Sequence, residues 1–121
     1  MPTLFSYGSL QQPHVQVSTF GRLLDGHHDE LPGFEPSTVA IEDPAVVTAR
    51  GRTHHANALF NGRPDSRIAG MAFDVTDAEL AAADEYERRD GYVRIWATLA
   101  SGQETWLYVD ARTAPADRRV V

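Results

Sequence analysis

Residues 67–87 have the sequence RIAGMAFDVTDAELAAADEYE, and they show the clearest local structure in the chain. The first nine, Arg67–Val75, are rich in apolar and aromatic side chains and predict a buried strand. Thr76 and Glu79 then match a capping box, in which each side chain binds the backbone N–H of the other residue. The alanine-rich segment Leu80–Tyr86 follows, and its helix propensity is high. This stretch therefore predicts a strand that passes directly into a helix.

The rest of the chain is predicted to be mostly strand. A second helix is expected from Pro13 to Phe20, because proline suits a first helical turn and Gly21 suits the end of a helix. Residues 22–33 are expected to be extended with a bend. Residues 42–66 show no clear pattern apart from a turn at Glu42–Pro44 and a possible strand at 57–60. β-branched and aromatic residues between turn formers predict the remaining strands: Thr3–Tyr7, Ser37–Ile41, Asn57–Phe60, and the hairpin of Tyr92–Leu99 with Thr105–Val109 around Ser101-Gly102.

About six short strands against one or two short helices predict an α+β domain built on an antiparallel sheet or a small barrel. We expect a single domain over residues 1–113, followed by a polar C-terminal tail, residues 114–121. With 121 residues, the chain has room for one core and not for two domains.

Composition restricts the classes of function. The formal net charge is −6 and all eleven basic residues are arginine, so no basic face is indicated for nucleic acid or anionic membranes. No apolar run is long enough for a transmembrane helix, and Met1–Phe5 lacks the features of a secretion signal. The absence of cysteine excludes disulfides and thiolate chemistry. We therefore expect a cytoplasmic protein that binds neither nucleic acid nor membrane; the sequence indicates no oligomeric state.

The predicted helix brings a carboxylate to its inward face. At about 100° per residue, Glu87 points in nearly the same direction as Leu80, where apolar residues are typical. One interpretation is that the helix frays and Glu87 faces solvent or pairs with Arg88 or Arg94. The other is a partly buried carboxylate whose pKa is raised by desolvation into the range useful for proton transfer. The helical pattern by itself favours the first.

The segment Tyr7-Gly8-Ser9-Leu10 supports the second interpretation. A strand that stops at Gly-Ser ahead of a helix exposes consecutive backbone N–H groups, which suit a carboxylate or an oxyanion. Taken alone, the tetrapeptide is also typical of an ordinary turn.

Four blocks of sequence add to this picture: Phe5–Leu10, Ala69–Phe73 with its central glycine, Asp84-x-x-Glu87 followed by Tyr92-x-Arg94, and the closing hairpin that contains Ser101-Gly102 and Trp106–Val109. In this order and spacing they resemble the γ-glutamylcyclotransferase-like superfamily, in particular its short γ-glutamylamine branch. The resemblance extends from Thr3 to about Asp110.

This resemblance implies a small mixed, mainly antiparallel β-barrel with one or two short flanking helices, and a reaction without cofactor or metal. The α-amine of a γ-glutamyl amine or γ-glutamyl peptide attacks its own γ-carbonyl and releases 5-oxoproline. Matching the motifs assigns general acid/base catalysis to Glu87 and substrate binding to the remaining site residues: Tyr7, Gly8, Ser9, Leu10, Tyr92 and Arg94. Members often have glycine directly after the catalytic glutamate, whereas residues 88–90 precede Gly91 here, so the resemblance leaves the substrate open.

Other features of the sequence suggest other kinds of site. His27-His28 and His54-His55 suggest zinc, but adjacent histidines on a strand point to opposite faces and no metal-binding spacing occurs, so no metal site is predicted. A hydrolase based on Ser9 lacks the Gly-x-Ser-x-Gly elbow. Arg22 and Arg94 could bind a substrate carboxylate, but structural ion pairs would explain these arginines equally well. The alternative from another class is a non-catalytic small-molecule or protein-binding module on the same fold.

Overall fold

The computed structural model describes residues 1–119 and has an α+β fold. Within that range the chain forms seven strands and three α-helices, in the order β1 Thr3–Ser6, α1 Pro13–Phe20, β2 Gly26–Pro32, β3 Phe34–Ala40, α2 Pro44–Arg50, β4 His54–Phe60, β5 Arg67–Asp74, α3 Asp77–Arg88, β6 Tyr92–Thr98 and β7 Glu104–Asp110. Short 3-10 turns lie at Ser9–Gln11 and Ala116–Arg118. None of the described helices is long and apolar enough to span a bilayer.

The strands form two sheets, so the expected barrel is not closed. Five strands have the order β2-β5-β1-β7-β6, and β3 pairs with β4 in a separate antiparallel sheet. In the large sheet β1 is antiparallel to β5 and parallel to β7. The predicted hairpin of the last two strands is confirmed, with Tyr92 opposite Asp110 and Thr98 opposite Glu104.

Local bonds explain why the sheets stay separate. Between β2 and β3 the chain turns at Gly33, where φ is +84°. The N–H of Gly33 donates to the carbonyl of Ser66 and its carbonyl accepts from Asn61, so β3 leaves the large sheet at this point. Farther along, the buried Asn57 side chain accepts from the backbone N–H of Asp110 at 3.0 Å. A side chain thus joins β4 to β7 where a closed barrel would need a backbone ladder.

The central strand β1 is buried on both faces. Phe5 belongs to an apolar cluster between the two sheets, together with Phe34 of β3. Leu4 faces the other way, into a cluster with Leu80 and Ala83 of α3. A buried strand of only four residues therefore positions both the loop that follows it and the helix above it.

Helix α3 confirms the predicted capping box. The backbone N–H of Glu79 donates to Thr76 Oγ1 at 3.1 Å, and the N–H of Thr76 donates to Glu79 Oε1 at 2.9 Å. Leu80 and Ala83 are buried beneath the helix, as its periodicity predicts. Asp84 then accepts a hydrogen bond of 2.7 Å from Tyr108 Oη of β7. The helix is thus fixed to the sheet one turn before Glu87.

The turn predicted at Glu42–Pro44 is the beginning of a helix, α2, that the sequence did not predict. Asp43 caps α2, since its Oδ1 accepts from the N–H of Ala45 at 2.9 Å, and Pro44 is the first helical residue. Gly51 ends the helix in the left-handed conformation. These are ordinary helix start and stop signals, but α2 has no buried residue, so no apolar stripe marks it in the sequence.

The segment expected as a polar tail lies against the domain as far as it is described. Ala114 packs on the cluster between the sheets, and Arg119 forms an isolated bridge with Ile95 of β6. The guanidinium of Arg118 lies 4.8 Å from the ring centre of Trp96. The final part of the predicted tail, residues 120–121, lies outside the described residues.

Candidate active site

A cavity of about 290 Å³ opens between the end of β1, the C-terminal turn of α3 and the beginning of β4. Six of the seven predicted site residues line it: Tyr7, Gly8, Ser9, Leu10, Glu87 and Tyr92. Side chains that the sequence analysis did not select also line it, above all Arg52, His55 and Asp90. The early glycine loop and the late helix, about eighty residues apart in the chain, thus border one space.

The loop after β1 presents backbone donors to this cavity. Its 3-10 turn begins with the N–H of Gln11 donating to the carbonyl of Gly8 at 3.1 Å, so the N–H groups of Ser9 and Leu10 precede the first bond of the turn. The buried side chain of Leu10 and a 2.9 Å bond from Gln16 Nε2 to its carbonyl hold the loop in place. Ser9 Oγ and Tyr86 Oη, 3.0 Å apart, link the loop to α3.

Glu87 is partly buried and lines the cavity from the last turn of α3. The pKa of Glu87 is raised to about 8, chiefly by burial and also by the nearby carboxylate of Asp90, whereas Arg50 opposes the shift. The interpretation that Glu87 faces open solvent is therefore not the arrangement seen. A carboxyl group with this pKa can accept and donate protons near neutral pH.

Beside Glu87, Asp90 bridges two basic side chains. Its Oδ2 accepts from Arg50 Nη2 at 3.0 Å. Its Oδ1 is buried and has no hydrogen-bond partner among residues 1–119, with His55 Nε2 at 3.8 Å. His55 is itself buried and packs edge-on against the ring of Tyr92. Burial lowers the pKa of His55, Asp90 opposes that effect, and Arg52 and Arg50 add to it.

The two histidines of the His54-His55 pair differ in burial. Alternation along β4 leaves His54 exposed and turns His55 inward. The alternation of a strand would have predicted the burial of His55, but the strand was predicted to begin only at Asn57. Among the described residues no group of three or more histidine, cysteine, aspartate or glutamate side chains is arranged to hold a metal ion.

Three tyrosines form part of the cavity wall, and their hydroxyl groups donate to the protein. Tyr7 Oη donates to the carbonyl of Tyr108 at 2.6 Å, and Tyr92 Oη donates to the carbonyl of Ala56. Burial raises the pKa of Tyr7, Tyr92 and Tyr108, so all three remain neutral donors. They position the loop, β4 and α3 relative to one another.

Arg94 does not line the cavity, contrary to its predicted role in substrate binding. Its Nε lies 3.2 Å from Asp84 Oδ1, an ion pair whose angle falls outside hydrogen-bond geometry. Its guanidinium lies 4.6 Å from the ring centre of Trp106. Arg94 lies two residues after Tyr92 on β6, so both side chains point to the same face of the sheet. At this position Arg94 reaches the middle of α3 instead of its C-terminal end. Arg22 is likewise occupied, by both carboxylate oxygens of Glu79.

A family model described as "Gamma-glutamyl cyclotransferase, AIG2-like" matches residues 4–120. The chain belongs to this family. The resemblance inferred from the Tyr-Gly-Ser-Leu loop and the Asp-x-x-Glu helix is thereby confirmed at the level of the family. No curated protein matches the sequence.

Solved structures agree in fold. A structure titled gamma-glutamyl cyclotransferase has a TM-score of 0.67 at 17% identity, covering 90% of this chain and 66% of its own. An Arabidopsis thaliana protein solved in solution has a TM-score of 0.65 at 19% identity, and the match covers 94% of this chain and 64% of the Arabidopsis chain. A second Arabidopsis thaliana protein solved in solution has a TM-score of 0.67 at 19% identity, and the match covers 99% of this chain and 75% of that protein. The chain thus spans just under two thirds of the length of two of these three relatives.

Proposed function

We propose that the protein is a cyclotransferase that releases 5-oxoproline from a γ-glutamyl amine or γ-glutamyl peptide. One observation carries the proposal: the carboxyl group of Glu87 borders the same cavity as the backbone donors of Ser9 and Leu10. Membership of the family makes the activity class the natural first candidate. The substrate and the roles of individual residues are part of the proposal.

In the proposed reaction Glu87 transfers protons between two nitrogens of one substrate. Its carboxylate takes a proton from the α-ammonium group, and the freed amine attacks the γ-carbonyl carbon to form the new C–N bond. Glu87 returns the proton to the leaving nitrogen as the old amide bond breaks. A second proton follows the same route, so the amine departs as an ammonium ion and charge is conserved.

Little further machinery is needed, because nucleophile and electrophile belong to the same molecule. Holding the chain of the substrate in a bent conformation supplies much of the entropic part of the barrier. The N–H groups of Ser9 and Leu10 are suited to bind its α-carboxylate, since consecutive backbone donors favour anions. The rings of Tyr7 and Tyr92 line the same cavity as Glu87.

The test is an assay of 5-oxoproline release from a panel of γ-glutamyl amines and dipeptides. Glu87→Gln keeps the shape of the side chain and removes its proton transfer, so kcat/KM should fall at least about 100-fold. Glu85→Gln is the matched control, because Glu85 lies on the exposed side of the same helix in an ion pair with Arg88; its activity should remain within about twofold of the wild type.

Equal turnover by the wild type and Glu87→Gln would contradict the assignment of Glu87. If no member of the panel reacts with the wild type but some bind to it, the protein is a small-molecule-binding module on this fold.

A further inference from the structure

Arg52 places a positive charge in the wall of the cavity, and no side chain among residues 1–119 pairs with it. It lies in the connection between α2 and β4 and lines the same cavity as Glu87. The ion pairs and side-chain hydrogen bonds formed within residues 1–119 do not include Arg52. Its side chain is exposed, so its guanidinium is available to a ligand that enters the cavity.

Neighbouring charges do not neutralise Arg52. Asp90 is already engaged by Arg50 at 3.0 Å. Glu87 is largely protonated at neutral pH, because its pKa is raised to about 8. In a chain with a formal net charge of −6, an uncompensated cation in the cavity wall suits an anionic ligand group.

The position of Arg52 in the fold separates it from the proposed anchor of the glutamyl group. The loop at Gly8–Leu10 follows β1 of the large sheet, whereas Arg52 immediately precedes β4 of the small sheet. Glu87 lines the cavity together with both, and it acts on the scissile amide in the proposed reaction. With the α-carboxylate of the glutamyl group bound by the loop, Arg52 is left to meet the part of the substrate beyond the amide.

We propose that Arg52 selects γ-glutamyl substrates whose leaving amine carries a carboxylate, that is, γ-glutamyl α-amino acids in preference to γ-glutamyl alkylamines. This inference rests on the proposed function. In an α-amino acid the carboxylate is attached to the carbon next to the scissile nitrogen, and a guanidinium binds it with two parallel hydrogen bonds. An alkylamine offers no such group and leaves Arg52 without a partner.

The test uses two substrates that differ only in this carboxylate, γ-glutamylalanine and γ-glutamylethylamine. For the wild type we expect kcat/KM to favour γ-glutamylalanine by about 10- to 100-fold, the usual effect of a hydrogen-bonded charge pair. Arg52→Gln should bring this ratio close to one, chiefly through the KM for γ-glutamylalanine. Arg52→Lys keeps the charge without the paired geometry and should give an intermediate ratio.

Arg63→Gln is the matched control, because Arg63 is exposed in the β4–β5 connection and does not line the cavity. It should keep the wild-type ratio. A wild-type ratio near one, or a ratio that Arg52→Gln leaves unchanged, would overturn the inference while 5-oxoproline release still supports the proposed function.

Binding measured by calorimetry on Glu87→Gln separates the two proposals in the remaining case. If the wild type turns over neither of these substrates nor any other member of the panel, the proposed function fails. A tighter Kd for γ-glutamylalanine that Arg52→Gln abolishes in the Glu87→Gln background would then still support recognition of an anionic ligand by Arg52. Equal Kd values for both compounds would overturn that as well.

Discussion

At the scale of single residues, Glu87 has lost much of its hydration, and its carboxyl group gains no hydrogen bond from residues 1–119 in return. Desolvation is the main cause of its raised pKa, and the causes include no hydrogen-bond donor. Asp90 lies one helical turn beyond it and adds electrostatic repulsion, while Arg50 limits that effect by pairing with Asp90. The environment of this carboxyl group therefore favours its neutral form, which is unusual for a glutamate at neutral pH.

This environment makes stability depend on pH in a definite direction. Glu87 titrates near 4.5 when unfolded and near 8 when folded. Its contribution to stability is therefore greatest below pH 4.5 and is lost as the pH rises to 8, because the unfolded chain releases the proton first. We expect the unfolding free energy of Glu87→Gln to rise relative to the wild type between these limits, by at most about 1.4 kcal/mol per pH unit.

Urea unfolding of both proteins between pH 4.5 and 8.5 measures this difference in unfolding free energy. Because all other titrating groups are present in both proteins, their contributions cancel in the difference. Glu85→Gln controls for the removal of one carboxylate from the same helix. A difference between Glu87→Gln and the wild type that stays constant with pH would contradict a buried, proton-binding Glu87.

At the scale of secondary structure elements, α3 is held at its beginning and in its middle, and these contacts set the position of Glu87. The capping box fixes the first turn, and the side chain of Glu79 also pairs with Arg22 of the segment after α1. Asp84 ties the middle of the helix to β7 and β6 through Tyr108 and Arg94. Arg94 is thus a structural residue that acts on the site through the helix.

Removal of the cap should weaken the helix without altering the cavity residues. Thr76→Ala leaves the N–H of Glu79 without its side-chain acceptor, so the unfolding free energy should fall by about 1 kcal/mol. Thr48→Ala is the matched control: Thr48 is exposed on α2, and its hydroxyl binds only the carbonyl of Pro44 in its own helix. Its effect should stay within about 0.5 kcal/mol. Equal losses for the two variants, measured by urea unfolding, would show that the cap contributes nothing specific.

At the scale of the whole molecule, the two sheets and α3 meet around β1, so the packing of this strand controls where the glycine loop lies. A Cβ atom at Gly70 of β5 would lie 2.4 Å from the carbonyl oxygen of Ser6 and 2.6 Å from Phe5 Cζ. The neighbouring atoms belong to backbone and to a fully buried ring, so neither can move easily. This close approach brings β5 against the end of β1, where the loop begins.

Gly70→Ala should therefore displace the end of β1. We expect a loss of about 1–3 kcal/mol in unfolding free energy, as for other overpacked cores, together with chemical-shift changes in the amides of Gly8–Leu10. Ala69→Ser, at the exposed neighbouring position of β5, should leave both unchanged within about 0.5 kcal/mol. Amide shifts in the loop that are identical in Gly70→Ala and the wild type would contradict this dependence.

Features that depend on neighbouring residues could be predicted from the sequence. The cap at Thr76, the helix from Pro13 to Phe20 and the final hairpin follow from bonds that form within a few residues. The helical period also placed Glu87 on the same side as Leu80, where the structure has it partly buried. The short helix α2 escaped prediction because its caps are local but its exposed surface leaves no apolar pattern.

The sequence by itself thus determined the main secondary structure elements, the family, and the face of the helix on which Glu87 lies. Only the tertiary structure decided the separation into two sheets, the placement of Arg52, His55 and Asp90 around the carboxyl group, and the position of Arg94 outside the cavity. The physical reason is that strand pairing and cavity lining join residues distant in the chain. Their contacts depend on how β4 and α3 pack together, which no local periodicity specifies.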